Sequence, residues 1–340
     1  MTRNTRVWFN RGFSLAPIAG LLRAADPTLD VFVSVSPEST HYNGPTDTWI
    51  DGGETNPDDT DAYLQWVREI IANQKIDIFI PTRRRALIAG ATLPCRVELP
   101  ASIPTLAVLD DKYLFANEFV GEDYHLPTYL AQDADDLERI LGDWDDAHGA
   151  AGPCVKPRQG VNGLGFWRLA DVSPMAHLKD PECRRIRPEQ YLLAVRDQEK
   201  CGPIDDIVVM PYLPGPEISF DILAHRGEML KYAARIKLGT GRQHIMSRHP
   251  LEGIVTSIVA RFDLHGVVNA QFRRAEDGRW LLLEINARPA GGVVYAEQVG
   301  CRLIADWAGL LTGRLTPNSV TQSETDTEVA FSTVVTPIAA

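Results

Sequence analysis

Four polar side chains in the last third of the sequence are spaced for metal or phosphate chemistry. Asn269, Gln271, Glu284 and Asn286 lie in two runs, VVNAQF and LLLEIN, separated by RRAEDGRW. Asp277-Gly278 is a two-residue turn signal, so the runs predict an antiparallel hairpin centred there. That register sets Gln271 opposite Glu284 and Asn269 opposite Asn286, and strand alternation puts all four on one face. Leu281, Leu283 and Ile285 then point to the other face, into a core. A glutamate and two amides offer hard oxygen ligands suited to magnesium, whose remaining positions phosphate oxygens and water can fill. Arg288, just beyond, can hold a phosphoryl or carboxylate oxygen. Taken alone, the pattern also suits a solvated polar strand face.

Two further segments carry phosphate and base chemistry. Lys156 precedes RQGVNGLG, whose glycines at 160, 163 and 165 permit close backbone approach to an anion. The segment is neither a Walker A sequence nor a dinucleotide fingerprint, and an ordinary turn reads the same way. In VVMPYLPGPE an apolar strand ends at Met210 and meets two prolines, which remove donors and fix the chain path. The remaining backbone groups could read a purine edge while Met210 and Leu213 cover its ring, and Glu217 could accept from ribose hydroxyls. A rigid inter-strand connection is the alternative.

Two basic clusters stand out from the chain's formal net charge of -11. Arg235, Lys237, Arg242, His244 and Arg248 surround the loop-like KLGTGRQH. Arginine pairs well with carboxylates, so Arg235 is the leading substrate clamp. A solvated basic loop is the plainer reading, and His244 suits ordinary surface placement better than proton donation. Arg83, Arg84 and Arg85 follow KIDIFIPT at a strand end, the edge where open parallel sheets gather ligands.

These residues need elements to hold them. Residues 6–10, 31–35 and the run KIDIFIP read as strands, with helices over 17–25 and 61–73 between them, an open parallel sheet with helices outside. No GxGxxG follows the first strand, which removes the main support for a nicotinamide site. Helices are expected over 111–120 and 133–144, then two strands joined by the glycine-rich loop, then a polar, irregular stretch over 171–200. From 205 the pattern alternates between apolar strands and turns, with helices near 251–262 and 296–311. VAFSTVV is a last strand candidate.

The bulk numbers agree. A length of 340 residues suggests two or three packed units, and 44% hydrophobic with 23% charged residues is ordinary globular usage. The acidic balance disfavours nucleic acid and anionic membranes. Five scattered cysteines without a CxxC pair argue against a disulfide framework or structural zinc and fit a reducing cytoplasm. No secretory leader or membrane span is legible.

Together, DDKYLF around Lys112, CVKPRQGVNGLG, VVMPYLPGPEISFDIL, VVNAQF and LEINARP resemble, in order and separation, the ATP-grasp superfamily of carboxylate ligases over roughly residues 75–310. The resemblance implies an α/β plus α+β architecture, an N-terminal open parallel sheet followed by a two-subdomain ATP-grasp fold. The implied boundaries are 1–110 for the N-terminal subdomain, 111–204 and 205–320 for the two grasp subdomains, and 321–340 for a tail or short strand. It implies that Lys112 and Lys156 contact ATP phosphates under the loop of Gly160, Asn162, Gly163 and Gly165. Met210, Pro211, Tyr212 and Leu213 would read adenine, and Glu217 the ribose. Gln271, Glu284 and Asn286 match the magnesium set, with manganese a substitute, and Arg288 a residue near the transferring phosphoryl group. Gln271 departs from the carboxylate often found there, as in some members resembling carbamoyl-phosphate synthetase and its amino-acid ligase relatives. The first strand continues as NRGFS rather than a glycine-dense turn, which weakens any transfer of substrate contacts from that subdomain.

The implied reaction joins a small-molecule carboxylate to an amine through an acyl phosphate, releasing ADP and phosphate. Lys156, Arg288 and Arg235 are its expected catalytic charges. A non-amine nucleophile such as bicarbonate or a thiol, or a regulatory nucleotide-binding role, are the alternatives. A cytoplasmic location is expected, no nucleic-acid or membrane partner is implied, and a homo-oligomer is compatible.

Overall fold

The computed structural model describes residues 3–11, 15–36, 47–54, 59–145, 151–160, 163–239 and 241–330. Residues 12–14 of the run NRGFS, part of the glycine-rich loop including Asn162, and the end of the VAFSTVV strand lie outside the described residues. Contacts divide the chain into two units. One comprises Met1–Leu106, Ile218–Ala270 and Ile285–Ala340; the other comprises Ala107–Glu217 and Gln271–Glu284. The division differs from the four sequential segments expected, because the tip of the predicted hairpin belongs with the earlier strands rather than with its own neighbours.

The first unit opens with strands β1 (Thr5–Asn10), β2 (Leu29–Val35), β3 (Asp47–Ile50), β4 (Ile78–Pro81) and β5 (Arg96–Val97), in the order β3-β2-β1-β4-β5. Every pairing is parallel. Helices α1 (Leu15–Ala25), α2 (Thr60–Gln74) and α3 (Arg85–Ala89) connect them. Side chains alternate across β1, so Val7 and Phe9 join one core with Ile18 and Leu22 of α1, while Trp8 joins another with Tyr63, Val67 and Ile71 of α2. Both faces are covered, which is why these strands read as continuous apolar runs. Asp59 accepts from the Ala62 amide to start α2, and Lys75 at φ 52 ends it.

The second unit carries β6 (Tyr129–Ala131), β7 (Pro153–Pro157), β8 (Trp167–Leu169), β9 (Arg185–Ile186) and β10 (Ile207–Pro211), in the order β6-β10-β7-β8-β9. The helices in this stretch are α4 (Ile103–Leu109), α5 (Lys112–Asn117), α6 (Ala134–Gly142), α7 (Ala176–Lys179) and α8 (Pro188–Cys201). Along β10, Ile207 and Val209 pack with Leu137, Ile140 and Val195 of the helices. Val208 and Met210 turn the other way, into a cluster with Cys154, Leu126, Leu213 and Leu281. The stretch expected to be irregular over 171–200 contains a full helix, α8, which starts with proline in its first turn followed by Glu189, both favourable there.

A six-stranded sheet follows. Its strands are β11 (Glu217–His225), β12 (Glu228–Lys237), β13 (Arg242–Met246), β14 (Gly266–Arg274), β15 (Trp280–Asn286) and β16 (Asp326–Ala330), in the order β15-β14-β11-β12-β13-β16. Helices α9 (Glu252–Arg261), α10 (Val293–Gln298) and α11 (Leu303–Leu311) accompany it. The single helix expected over 296–311 is two. Gly300 at φ 86 and Arg302 at φ 52 break it, and Glu297 accepts from the Ile304 amide at 2.6 Å to start the second piece. No helix among the described residues is long and apolar enough to cross a membrane.

Candidate functional site

The second unit brings together most of the residues singled out for nucleotide chemistry. Asp111 caps α5, accepting from the Tyr113 and Leu114 amides at 3.0 Å each, and so places Lys112 at the first helical position. The Lys112 ammonium donates to the Gly160 carbonyl at 3.0 Å, and its amide donates to the Arg158 carbonyl at 3.1 Å. Burial first, and the nearby Lys156 charge after it, hold the Lys112 ammonium below its usual range, with Glu284 acting in the opposite sense. Lys112 thus lies within the fields of both Lys156 and Glu284, although the three come from α5, β7 and β15. Lys156 extends from the central strand β7, with its ammonium 5.7 Å from the Phe166 ring centre. Beyond it, Gly160, Gly163 and Gly165 all take positive φ, at 144, 64 and 71.

Sequence reasoning missed the carboxylates behind these lysines. Arg158 donates through Nε to Asp111 at 2.7 Å and through Nη1 to Asp206 at 2.9 Å. This bridge ties the helix that carries Lys112 to the strand end that carries Lys156. Its signal was an aspartate one residue before a helix start, a cap pattern.

The connection Met210–Leu213 is also placed here. β6 pairs with β10 only as far as Val209, so among the described residues no strand flanks Met210 and Pro211 on that side. Tyr212 donates its amide to the Gly152 carbonyl at 2.8 Å, and its ring lies 4.1 Å from the Arg168 guanidinium carbon. Met210 and Leu213 form a buried apolar wall with Leu281. The following turn is pinned to the hairpin, since Gly215 donates to the Arg274 carbonyl at 3.0 Å, Arg274 to the Pro216 carbonyl at 3.0 Å, and Arg273 to the Gly215 carbonyl at 3.1 Å. Glu217 stands half-buried at the start of β11.

The hairpin itself differs from expectation at its turn. Gly278 donates to the Ala275 carbonyl at 3.1 Å and Ala275 to the Arg279 carbonyl at 2.8 Å. Ala275 therefore faces Arg279 across a three-residue loop that ends on Gly278 at φ 89, a conformation that favours glycine, where a two-residue turn would have paired Glu276 with Arg279. Continued without a bulge, this pairing sets Gln271 against Leu283 rather than Glu284, so the turn alone does not put the two polar residues on one face. Leu281 and Leu283 do pack together, against the wall of Met210 and Leu213. Gln271, Glu284 and Asn286 are each half-buried. No three His, Cys, Asp or Glu side chains gather as a metal site among the described residues. One carboxylate with amide oxygens, partly open to solvent, nonetheless fits a hard cation that completes its shell with phosphate and water.

In the first unit, Arg235 is not the exposed clamp expected. It is 3% exposed and makes a two-point pair with the buried Asp221, at 2.5 Å from Nε and 3.2 Å from Nη2. Its Nη1 donates to Gln243 at 2.7 Å, and Asn269 donates to the same Asp221 at 2.9 Å. A buried arginine so committed holds its own sheet together; it is not an open anion site. Three others of the basic stretch are answered by acidic residues around β16: Arg242 pairs with Glu328, His244 with Asp326 and Arg248 with Glu324. The alternation of Glu324, Asp326 and Glu328 was legible in the sequence, but its partner strand was not. Arg288 is half-buried, and Asn286 precedes it by two residues on β15.

Comparison with known proteins places the fold. A family described as ATP-grasp in the biosynthetic pathway with Ter operon matches residues 203–335. No curated protein sequence matches the chain. An L-amino acid ligase structure from Bacillus licheniformis is similar with a TM-score of 0.61 at 15% identity, covering 94% of this chain and 78% of that one. N5-carboxyaminoimidazole synthetase from Staphylococcus aureus, solved with ADP, is similar with a TM-score of 0.63 at 13% identity, covering 94% of this chain and 80% of that one. The biotin carboxylase domain of Hydrogenobacter thermophilus 2-oxoglutarate carboxylase, solved with MgADP and bicarbonate, is similar with a TM-score of 0.61 at 14% identity, covering 92% and 70%. The chain has the ATP-grasp fold, as the resemblance of its motifs implied.

Proposed function

We propose that this chain is an ATP-dependent carboxylate–amine ligase that releases ADP and phosphate. The observation that carries the reading is the meeting of Lys112, Lys156 and Glu284 in one unit, next to positive-φ glycines and a strand end at Met210–Pro211 that β7 pairs on one edge and, among the described residues, no strand pairs on the other. Two lysines placed by separate elements suit a triphosphate, and the strand end suits a purine edge. Two of the structures similar to this one were solved with ADP or MgADP, which supports the same ligand here. Glu284 and Asn286, two residues apart on β15, would hold magnesium, with manganese as a substitute, and Gln271 on β14 would join them where a bulge returns it to their face. When bound, magnesium would neutralise phosphate charge.

The protein's own part is to bind, orient and neutralise. Lys156 and Lys112 would hold the phosphates in line with the incoming carboxylate, under the turn of Gly160, Gly163 and Gly165, with Asn162 in the same loop. Met210, Pro211, Tyr212 and Leu213 would take the adenine and Glu217 the ribose. The carboxylate oxygen would attack the γ-phosphorus, giving an acyl phosphate and ADP; the amine would then attack the acyl carbon and expel phosphate. Arg288 would balance the charge on the transferring group. Positioning and charge stabilisation suffice for such a step, without a protein nucleophile. Arg235, committed to Asp221 and Gln243, would hold its sheet rather than touch the acid.

The test is a metabolite-pool screen that follows ADP release and new masses together. ADP formation that requires both an acid and an amine supports the reading. AMP and pyrophosphate as products, or ADP formation with bicarbonate or a thiol in place of every amine, would overturn it.

A further inference from the structure

The sheet of the second unit has two faces, and the nucleotide chemistry uses one of them. Side chains alternate along β7, so Lys156 leaves one face and Pro157 the other. Pro157 pairs with Ile207 of β10, which packs on the helical side with Leu137, Ile140 and Val195. On that side, between α8 and the place where β7 ends and β10 begins, lies a cavity of about 390 Å³. That volume is in the range of small-molecule sites.

The sequence of α8 leaves this space. Tyr191, Ala194, Val195 and Gln198 stand at i, i+3, i+4 and i+7, one stripe of the helix, and all four line the cavity. Ala194 brings only a methyl group to the middle of that stripe, so the helix does not fill the gap to the strands. After Gly202 the chain returns to β10 through Pro203, Ile204 and Asp205, which form another wall. The lining is chiefly apolar, and its three polar side chains share one property. The Tyr191 hydroxyl, the Gln198 amide and the Asp205 carboxylate have no hydrogen-bond or ion-pair partner among the described residues. Charges close by on α8 are matched, Lys200 by Asp197 and Arg196 by Glu138. Burial alone pushes the Tyr191 phenol above its usual range.

We infer that this cavity is a regulatory site for a small aromatic amine, whose binding is felt at the nucleotide site on the other face of the sheet. The Tyr191 ring and the rings of Pro157 and Pro203 suit a flat apolar body. Asp205 is the one formal charge of the lining, so an ammonium group is attracted and an anion repelled. The walls lead directly to the residues that place the two lysines. Pro157 stands between Lys156 and Arg158 in the chain. Asp205 precedes Asp206, which accepts from the Arg158 side chain at 2.9 Å and from its amide at 2.8 Å. Arg158 in turn bonds Asp111, the cap of the helix that begins with Lys112. The amine site stands without the ligase reading; its coupling rests only on the nucleotide-binding part of that reading.

The experiment titrates the full chain with tryptamine, 3-ethylindole and indole-3-acetate by calorimetry, for wild type, Asp205→Asn and Ala194→Phe. The three probes share one ring and differ in charge. Asp205 is exposed, so tryptamine should bind only about two- to fivefold more tightly than 3-ethylindole, with indole-3-acetate weakest. Asp205→Asn should erase that order while leaving 3-ethylindole unchanged. Ala194→Phe fills the cavity from an exposed position on α8 and should abolish binding of all three, with circular dichroism unchanged. Saturating tryptamine should shift the affinity for a fluorescent ATP analogue by at least about threefold and then no further, and the analogue should shift tryptamine by the same factor. No tryptamine binding, binding that Ala194→Phe leaves intact, or an order of affinities that Asp205→Asn leaves intact would overturn the site. An ATP affinity that tryptamine leaves unchanged, or that keeps falling in proportion to added tryptamine as competition requires, would overturn the coupling. Failure of the nucleotide reading would show separately, as absence of ATP-analogue binding in the wild type without any amine.

Discussion

Asp111 offers the sharpest link between stability and nucleotide binding. It is 4% exposed, caps α5 through two amides and accepts from Arg158 at 2.7 Å. Asp111→Ala removes the cap, at about 1 kcal/mol, and a charge-assisted bond, at about 1.5–3 kcal/mol. Arg158 keeps Asp206 and is about a quarter exposed, so the second figure belongs at its lower end. The expected loss is about 2–3 kcal/mol in urea unfolding of the whole chain. Asp111→Asn is a near-equal cap, so it should lose only the charge, about 1–2 kcal/mol. The two substitutions should separate further in binding. Lys112 is held by its position at the start of α5, and a frayed start frees it from the Gly160 carbonyl. Asp111→Ala should therefore weaken ATP about tenfold, and Asp111→Asn by much less. Titration of a fluorescent ATP analogue checks this. Stability losses within 0.5 kcal/mol of zero (about the scatter of surface substitutions) would refute the energetics. A full stability loss with unchanged ATP affinity would refute the link through Lys112.

Other outcomes follow from the same geometry. Glu284→Gln should leave circular dichroism unchanged while raising the magnesium needed for turnover, and coincident magnesium curves would remove the proposed metal role. Lys156→Ala should weaken ATP and slow ADP release without unfolding, and an unchanged affinity would place it outside the site. A Cβ at Gly292 would come within 2.3 Å of the Arg235 guanidinium, which Asp221 holds in place, so Gly292→Ala should cost about 1–3 kcal/mol in denaturant unfolding. Burial pushes the Glu98 carboxyl up, but the hydrogen bond and charge of His265, with Arg96 and Arg226, outweigh it and hold it below its usual 4.5. A depressed folded-state value stabilises above the unfolded one and fades as pH falls through it. Glu98→Gln should thus destabilise at pH 7, with the penalty shrinking as pH falls below the ordinary carboxylate range in a pH series of melts.

The sequence by itself determined the local devices. Alternation and continuous apolar runs gave the parallel sheet, because strands covered on both faces by helices cannot show a polar side. Lys112, Lys156 and the Met210–Leu213 connection were legible because each sits in a short motif whose residue types serve one purpose. Only tertiary structure decided how charges are shared. Arg235 looked open because Asp221, its partner, is on another strand, fourteen residues away in sequence. The basic stretch looked like a substrate loop because acids that pair with it come some 80 residues later, on β16 and just before it. The turn at Asp277-Gly278 closes a three-residue rather than a two-residue loop, and the sequence could not choose between them because glycine permits both. Pairing across long separations is set by the closure of the sheet, and a linear sequence carries its residue types without its partners.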